Sequence, residues 1–305
     1  MQKKEQEVLR MLSQYSRISF QQLCENFAIT DKQLLTILSK LKNNGYCVQR
    51  FYQQCGDILL QLSSNELKKI MIDPKDKFFR FVAVADTHYG HPKSNIDDME
   101  KVYQYCLQEN IHLIFHLGDV VEGVEHSNVT KFKSTPNQFQ MVLKNYPSQE
   151  RILNFWLFGN HDTWGLKTTK FNPILFAADK RADIIPVAIN RGCIYVQNEL
   201  IALCHQAGVN SDSKFKLVLK GHSHTYRLKN DQNGCLVHVP TLSKINPMQA
   251  AVDIIPSFLD IQLEWYHQRF NTIDVKQIQL QENPSVINES KFPLLKKVKK
   301  SKEKK

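Results

Sequence analysis

None of the seven cysteines of this 305-residue chain falls in a CxxC pair, and no apolar run approaches the length of a bilayer crossing. An odd cysteine count without framework spacing excludes a disulfide-stapled secreted scaffold and points to reduced thiols. No apolar stretch follows Met1-Gln2-Lys3-Lys4-Glu5-Gln6-Glu7, so a signal peptide is not expected. The expectation is a cytoplasmic protein with no membrane partner. A net charge of either sign is missing from the middle: residues 71–290 hold 22 basic and 23 acidic side chains. The net +10 therefore sits at the ends, with +4 in residues 1–70 and +7 in residues 291–305. Basic flanks suit a polyanionic partner, because phosphate contacts release counterions. A hydrophobic content of 42% is enough for a real core, and the length allows two domains or one large domain with an appendage.

The first seventy residues read as three helices and a hairpin. Val8, Leu9 and Leu12 share one face of the first helix. Ser19-Phe20-Gln21-Gln22 and Thr30-Asp31-Lys32-Gln33 each carry the Ser/Thr-x-x-Gln form of a capping box and start the second and third. Leu34, Leu35, Ile37, Leu38 and Leu41 give the third helix its apolar face, and Asn43-Asn44-Gly45 ends it. Runs over 46–52 and 57–62 form the hairpin. This order resembles a winged helix-turn-helix domain. The resemblance implies nucleic-acid contacts from Lys32, Gln33, Thr36, Lys40 and Lys42 on the third helix and from Arg50 on the wing. Such domains also dimerise or bind proteins, and that alternative, a homo-oligomer included, stays open. Residues 71–77 read as a linker broken by Pro74.

Beyond the linker, five short motifs each follow an apolar run. They are Asp86-Thr87-His88, Gly118-Asp119, Gly159-Asn160-His161-Asp162, His205 and Gly221-His222-Ser223-His224. Nearly continuous apolar runs bounded by Gly, Asp or Asn read as strands buried on both faces. Alternating stretches over 235–239, 258–265 and 271–280 read as antiparallel strands completing a second sheet. Phosphodiester hydrolysis needs a nucleophile at neutral pH and neutralisation of charge on the phosphoryl oxygens. Two divalent cations about 3.5–4 Å apart supply both. Asp, His and Asn are the ligand types such a pair wants, and no cysteine competes within the motifs.

At these residues the chain resembles the calcineurin-like metallophosphoesterase superfamily, in order and in full, over roughly residues 77–282. The resemblance implies an α/β fold, a four-layer α/β/β/α sandwich over residues 78–285, preceded by the 1–70 domain and followed by a lysine-rich tail, 286–305. It implies one metal on Asp86, His88 and His224, another on Asn160, His205 and His222, and Asp119 between them. His161 would act as general acid to the leaving oxygen, with Asp162 or Glu122 orienting it. Manganese is the first expectation, and iron, zinc, cobalt or nickel also fit such ligands. His91 and His126 lie in loops beside the motifs and are further candidates for substrate contact. His116 reads as a packing residue.

Protein phosphatases of the superfamily carry an arginine shortly after Gly-Asp. Here the run is Gly118-Asp119-Val120-Val121-Glu122-Gly123. The leading expectation is a nuclease or phosphodiesterase acting on DNA or RNA and targeted by the N-terminal domain. Two others stand beside it: a small-nucleotide phosphodiesterase or phosphatase whose N-terminal domain dimerises or contacts proteins, and a DNA-binding regulator with a ligand-sensing phosphoesterase domain.

Overall fold

The computed structural model describes residues 3–63, 69–74, 76–125, 129–178, 180–206, 215–231, 234–246, 254–266, 269–281 and 284–294. The chain opens with α1 (Lys3–Gln14), β1 (Ile18–Ser19), α2 (Phe20–Phe27), α3 (Asp31–Asn43), β2 (Cys47–Gln53) and β3 (Ile58–Ser63). Both capping boxes form: Ser19 and Gln22 close reciprocally on the start of α2, and Thr30 and Gln33 on that of α3. Each satisfies amide donors that a helix start would otherwise leave unpaired. Val8, Leu12, Leu23, Leu34 and Leu41, all fully or almost fully buried, knit the three helices onto Leu60 of β3.

Next comes β4 (Ile70–Asp73), where the sequence suggested a linker over 71–77. Ile72 is wholly buried, and β4 pairs in parallel with β2 on one side and with a later strand on the other. The segment is a stitch rather than a tether. Its apolar Ile-Met-Ile run has strand character that the neighbouring Pro74 masked.

The remaining elements are β5 (Phe78–Val84), α4 (Asp98–Gln108), β6 (Leu113–Leu117), α5 (Thr135–Asn145), β7 (Leu153–Phe158), α6 (Asn160–Thr163), α7 (Gly165–Thr168), α8 (Pro173–Ala177) and β8 (Ile184–Ile189). They are followed by β9 (Arg191–Val196), β10 (Glu199–Cys204), β11 (Leu217–Lys220), β12 (Arg227–Asp231), β13 (Gly234–His238), β14 (Ser257–Tyr266), β15 (Arg269–Gln279) and β16 (Ser285–Pro293). They build two sheets. A seven-stranded sheet runs β16-β15-β14-β5-β6-β7-β8, and a nine-stranded one runs β1-β3-β2-β4-β9-β10-β11-β13-β12.

Alternation along β5 sorts the layers. Phe79, Phe81 and Ala83 face Ile194, Ile201 and Leu203 of the nine-stranded sheet, while Val82 and Val84 pack with Met99 and Val102 of α4. This is the period of two that places one set of side chains between sheets and the other under helices. A helical layer and two sheets are thus present. The expected fourth, outer helical layer is not built by the chain after β8, which holds no helix among the described residues. β11 and β13 alternate buried with half-buried positions, the pattern of strands with one face in the core.

Two further expectations shift. β14 and β15 join the first sheet rather than the second, because β14 pairs antiparallel with the free edge of β5. The tail expected from residue 286 begins inside β16, paired with β15 through Pro293, and its lysine-rich stretch 295–305 lies outside the described residues.

Candidate metal centre

β5, β6 and β7 run parallel, so their C-terminal ends open on the same side and carry the first three motifs. β10 and β11, also parallel, deliver His205 and the Gly221–His224 loop from the other sheet. Five residues of these loops are left-handed: Asp86 (φ 53), His88 (φ 47), Asp119 (φ 52), His222 (φ 67) and His224 (φ 56). Asp and His tolerate this region better than most, yet each costs roughly 1–3 kcal/mol and persists only where its surroundings fix it. The fixing contacts are visible. The Asp86 amide donates to Gly118 O (3.0 Å), the His88 amide to Asp119 O (2.9 Å), and the Thr241 hydroxyl to Asp86 O (2.8 Å).

Three groups of ligand-type atoms result, each within 4.8 Å: Asp86, His88 and His224; Asp119, His205 and His222; and His88, Glu122 and His161. The imidazoles are oriented from outside. His88 Nδ1 bonds Glu122 Oε2 (3.0 Å), His205 Nδ1 bonds Leu117 O (2.7 Å), and His224 Nδ1 bonds Ile245 O (2.9 Å). Spending Nδ1–H on these acceptors turns each Nε2 lone pair inward.

Inside, acceptors crowd acceptors. His88 Nε2 stands 3.3 Å from His224 Nε2, and His224 Nε2 3.6 Å from Asp86 Oδ1. His205 Nε2 is 2.9 Å from Asp119 Oδ2, which is also 3.8 Å from His88 Nε2 and 4.0 Å from His161 Nε2. His205 Nε2 and Asn160 Oδ1 are buried without a hydrogen-bond partner. Lone pairs facing carboxylates in a dry site repel unless cations lie among them. The donor set, imidazole nitrogens with carboxylate and amide oxygens, fits divalent metal.

Titration follows the same logic. Burial pushes the Asp86 carboxyl up, and the Asp119 charge adds to it, to about 7. Burial would also raise Asp119, but the His205 and His88 rings outweigh it and hold this carboxyl well below its usual range. Burial opposes charge on His205, yet Asp119 and Asp86 lift it to about 9, so without a cation a proton takes the place between Nε2 and Asp119 Oδ2 that a metal would fill. Asp119 is the anionic pole of the site.

His161 sits at the rim, about a fifth of its side chain exposed (21%), with Nδ1 donating to the Glu122 carbonyl (2.8 Å) and Nε2 facing Asp119 Oδ2 at 4.0 Å. Of the two residues suggested to orient it, Glu122 does so through its main chain. Asp162 does not reach the ring: its carboxylate accepts from the amides of Val120 (3.2 Å), Val121 (2.9 Å) and Gly159 (2.8 Å), tying two motif loops together. Gly118, at φ +98, is required for space as well as conformation, since a Cβ there would lie 2.6 Å from His205 Nδ1.

Some contributors were not legible beforehand. Trp164 covers the His161 ring at 3.7 Å between centroids, one turn of chain after it. His116 is wholly buried beneath the site. Its Nδ1 accepts from the Gly118 amide (3.3 Å) and its Nε2–H meets Thr87 Oγ1 (3.0 Å), whose hydroxyl goes on to Val120 O (2.9 Å). The chain of donors locks the Asp86 loop to the Gly118 loop. His91 accepts from the Lys93 amide (2.9 Å), and His126 lies outside the described residues.

The residues suggested for nucleic acid are less unified. Lys32 is exposed on α3, as are Gln33, Thr36 and Lys40, but Gln33 is engaged in the cap and the Thr36 hydroxyl bonds back to Lys32 O (2.8 Å). Lys40 pairs with the buried Glu5 (2.9 Å). Lys42 and Arg50 line a cleft between α3, β2 and the α8–β8 edge.

Residues 79–226 match the family model for calcineurin-like phosphoesterases. This stretch is a calcineurin-like phosphoesterase domain. The phosphoesterase domain carries every motif residue above, and the chain is a metal-dependent phosphoester hydrolase. No curated protein matches the chain in sequence. Among solved structures, a predicted phosphoesterase from Streptococcus pneumoniae TIGR4 is 12% identical, with TM-score 0.41, over 71% of this chain and 98% of its own. Vacuolar protein sorting 29 from Cryptosporidium parvum is 14% identical, with TM-score 0.44, over 72% and 100%. The phosphoesterase Yfce from E. coli is 14% identical, with TM-score 0.40, over 69% and 98%. Likeness at this level says nothing of substrate. No helix among the described residues is long and apolar enough to cross a membrane.

Proposed function

We propose that this phosphoesterase hydrolyses phosphodiester bonds of nucleic acid, DNA or RNA, with two divalent cations, manganese foremost. The observation that carries the metal part is the inward crowding of His88, His205 and His224 lone pairs on Asp86 and Asp119. Asp86, His88 and His224 would hold one cation, and Asn160, His205 and His222 the other, with Asp119 shared. When bound, the cations acidify a water and neutralise charge on the phosphoryl oxygens. His161 holds its Nδ1 proton on the Glu122 carbonyl, so Nε2 is the atom that passes a proton to the leaving oxygen. Burial holds the His161 imidazole below its ordinary value, and Asp119 Oδ2 at 4.0 Å and Glu122 Oε2 at 3.7 Å partly offset this in favour of the imidazolium that proton donation requires.

Two features favour a diester in a polymer. The Gly118–Gly123 run holds no arginine to grip a monoester dianion, and Val120 and Val121 are wholly buried. Lys93, Lys244 and Lys101, the last paired with Asp98 (3.1 Å), line a polar hollow of about 290 Å³, and the carbonyl of Ile245, next to Lys244, accepts from His224 Nδ1 (2.9 Å). Residues 3–63 we read as a winged helix-turn-helix unit that contacts the polymer through the exposed polar face of α3. Because β4 stitches this unit into the catalytic sheet, it would present substrate in a fixed pose rather than on a tether.

The test is a manganese-supplemented screen across single- and double-stranded DNA, RNA, cyclic nucleotides and phosphomonoesters, with His161→Ala as control. Polymer cleavage that falls steeply with salt is expected. Turnover confined to mononucleotides would overturn the polymer assignment.

A further inference from the structure

The cleft between α3–β2 and the α8–β8 edge encloses about 720 Å³ and lies outside the metal centre. Its lining holds three cations, Lys42, Arg50 and Lys69, and no carboxylate. Tyr46 and Pro186 supply flat surface, and Tyr46 is 38% exposed. Gln49, 8% exposed, also lines it, and its Nε2 is a buried donor without a partner. A buried amide donor left unpaired is costly and marks a place where an acceptor is wanted. Cations around an unpaired donor and an aromatic face suit phosphates and a base.

The position of the cleft adds a route. One wall is β8, whose Val187 lines the cleft; three residues on, Asn190 O accepts from the His205 amide (2.9 Å). Three residues of strand span about 10 Å, the reach of one or two nucleotides. A space of about 720 Å³ is the size of a small-ligand cleft, which suits a few nucleotides of a single strand better than a duplex.

We propose that this cleft binds single-stranded nucleic acid and leads it along β8 to the metal centre, with Lys42, Arg50 and Lys69 on phosphates and Gln49 Nε2 donating to a base or phosphate oxygen. The proposal rests on the nucleic-acid reading of the phosphoesterase site, and its test separates the two. Anisotropy of a fluorescent 12-nucleotide single strand is measured on the full-length His161→Ala protein, which cannot consume the probe. Adding Lys42→Glu with Arg50→Glu should weaken binding at least about ten-fold and flatten the log–log salt slope by about 1.4, the value for two lost phosphate contacts on a single strand. Gln49→Leu, which removes the donor without changing charge, should weaken binding about three-fold at an unchanged salt slope. The milder Lys42→Ala with Arg50→Ala pair covers the case in which charge reversal unfolds the protein.

Binding indifferent to all these changes overturns the cleft proposal, as does equal affinity for a duplex or for a mononucleotide. Failure of the parent enzyme to cut any polymer, with cleft-dependent strand binding intact, would sink the nuclease reading and leave the cleft standing. Normal polymer cleavage with cleft-independent binding would do the reverse.

Discussion

Around the metal centre five non-glycine residues are left-handed and several buried acceptors face one another, whereas residues 3–63 hold a single left-handed non-glycine residue, Ala28, at a helix C-cap. In that N-terminal unit propensity, capping and apolar pattern all agree. In the loops of the phosphoesterase domain they are overruled by tertiary contacts. Strain and repulsion survive there because a ligand and a dense outer shell compensate them. The contrast separates what is built to fold from what is built to act.

The largest effect expected is at the rim. His161→Ala should lower turnover of bis-p-nitrophenyl phosphate by about 10²–10⁴-fold, the usual size of general acid catalysis, while metal content measured by elemental analysis stays near that of the parent. Retained turnover would remove His161 from the chemistry; lost metal would make it a ligand instead.

Two glycines sharpen the contrast further. Gly118→Ala places a Cβ 2.6 Å from His205 Nδ1 at φ +98, and should cost about 2–3 kcal/mol in urea denaturation and displace His205 from Leu117 O, lowering metal content. Gly45→Ala meets the same kind of backbone at φ +85 with nothing within 4 Å, and should cost only about 1 kcal/mol, with metal content unmoved. Equal costs at both would mean that conformation alone, not crowding at the ligands, sets the penalty.

The motif residues were legible because they are polar groups interrupting apolar strands, a pattern that survives without coordinates. Their gathering into one site followed from the family resemblance rather than from the pattern itself, and the route of β14 to the open edge of β5 was not legible. Asp162 and Glu122 show the limit well. Asp162 neighbours His161 and Glu122 follows the Gly118-Asp119 motif, and only the turn into α6 aims the Asp162 carboxylate back at Val120, Val121 and Gly159. β4 was hidden because four residues carry too little periodicity to outweigh an adjacent proline. Trp164 and His116 act through contact with a motif rather than by belonging to one, and single positions of that kind carry no pattern to read.

His116 offers a smaller, pH-dependent test. Burial, with the His205 ring adding to it, pushes its imidazole down to about 3, and in the neutral form its Nδ1 accepts from the Gly118 amide. A histidine with a folded value below its unfolded one binds fewer protons when folded. Stability is therefore unaffected above about pH 6.5 and declines as pH falls below it toward 3. Between pH 7 and pH 5 this group should remove about 2 kcal/mol, read from urea midpoints in the metal-free protein. His116→Asn should be less stable at pH 7 yet show a shallower acid slope; an unchanged slope would assign the acid sensitivity to other groups.

The smallest expected effect lies at the cap of α3. Thr30→Ala breaks one half of a reciprocal cap, removing the acceptor for the Gln33 amide while Gln33 Oε1 still reaches the Thr30 amide (2.9 Å). A cost of about 1 kcal/mol is expected, with hydrolysis of a small diester unaltered, since the hydroxyl touches no element of the metal centre. If hydrolysis of that diester fell along with stability, the β4 stitch would be passing disturbance from α3 through the shared sheet. The two regions would then be one mechanical unit, despite following such different local rules.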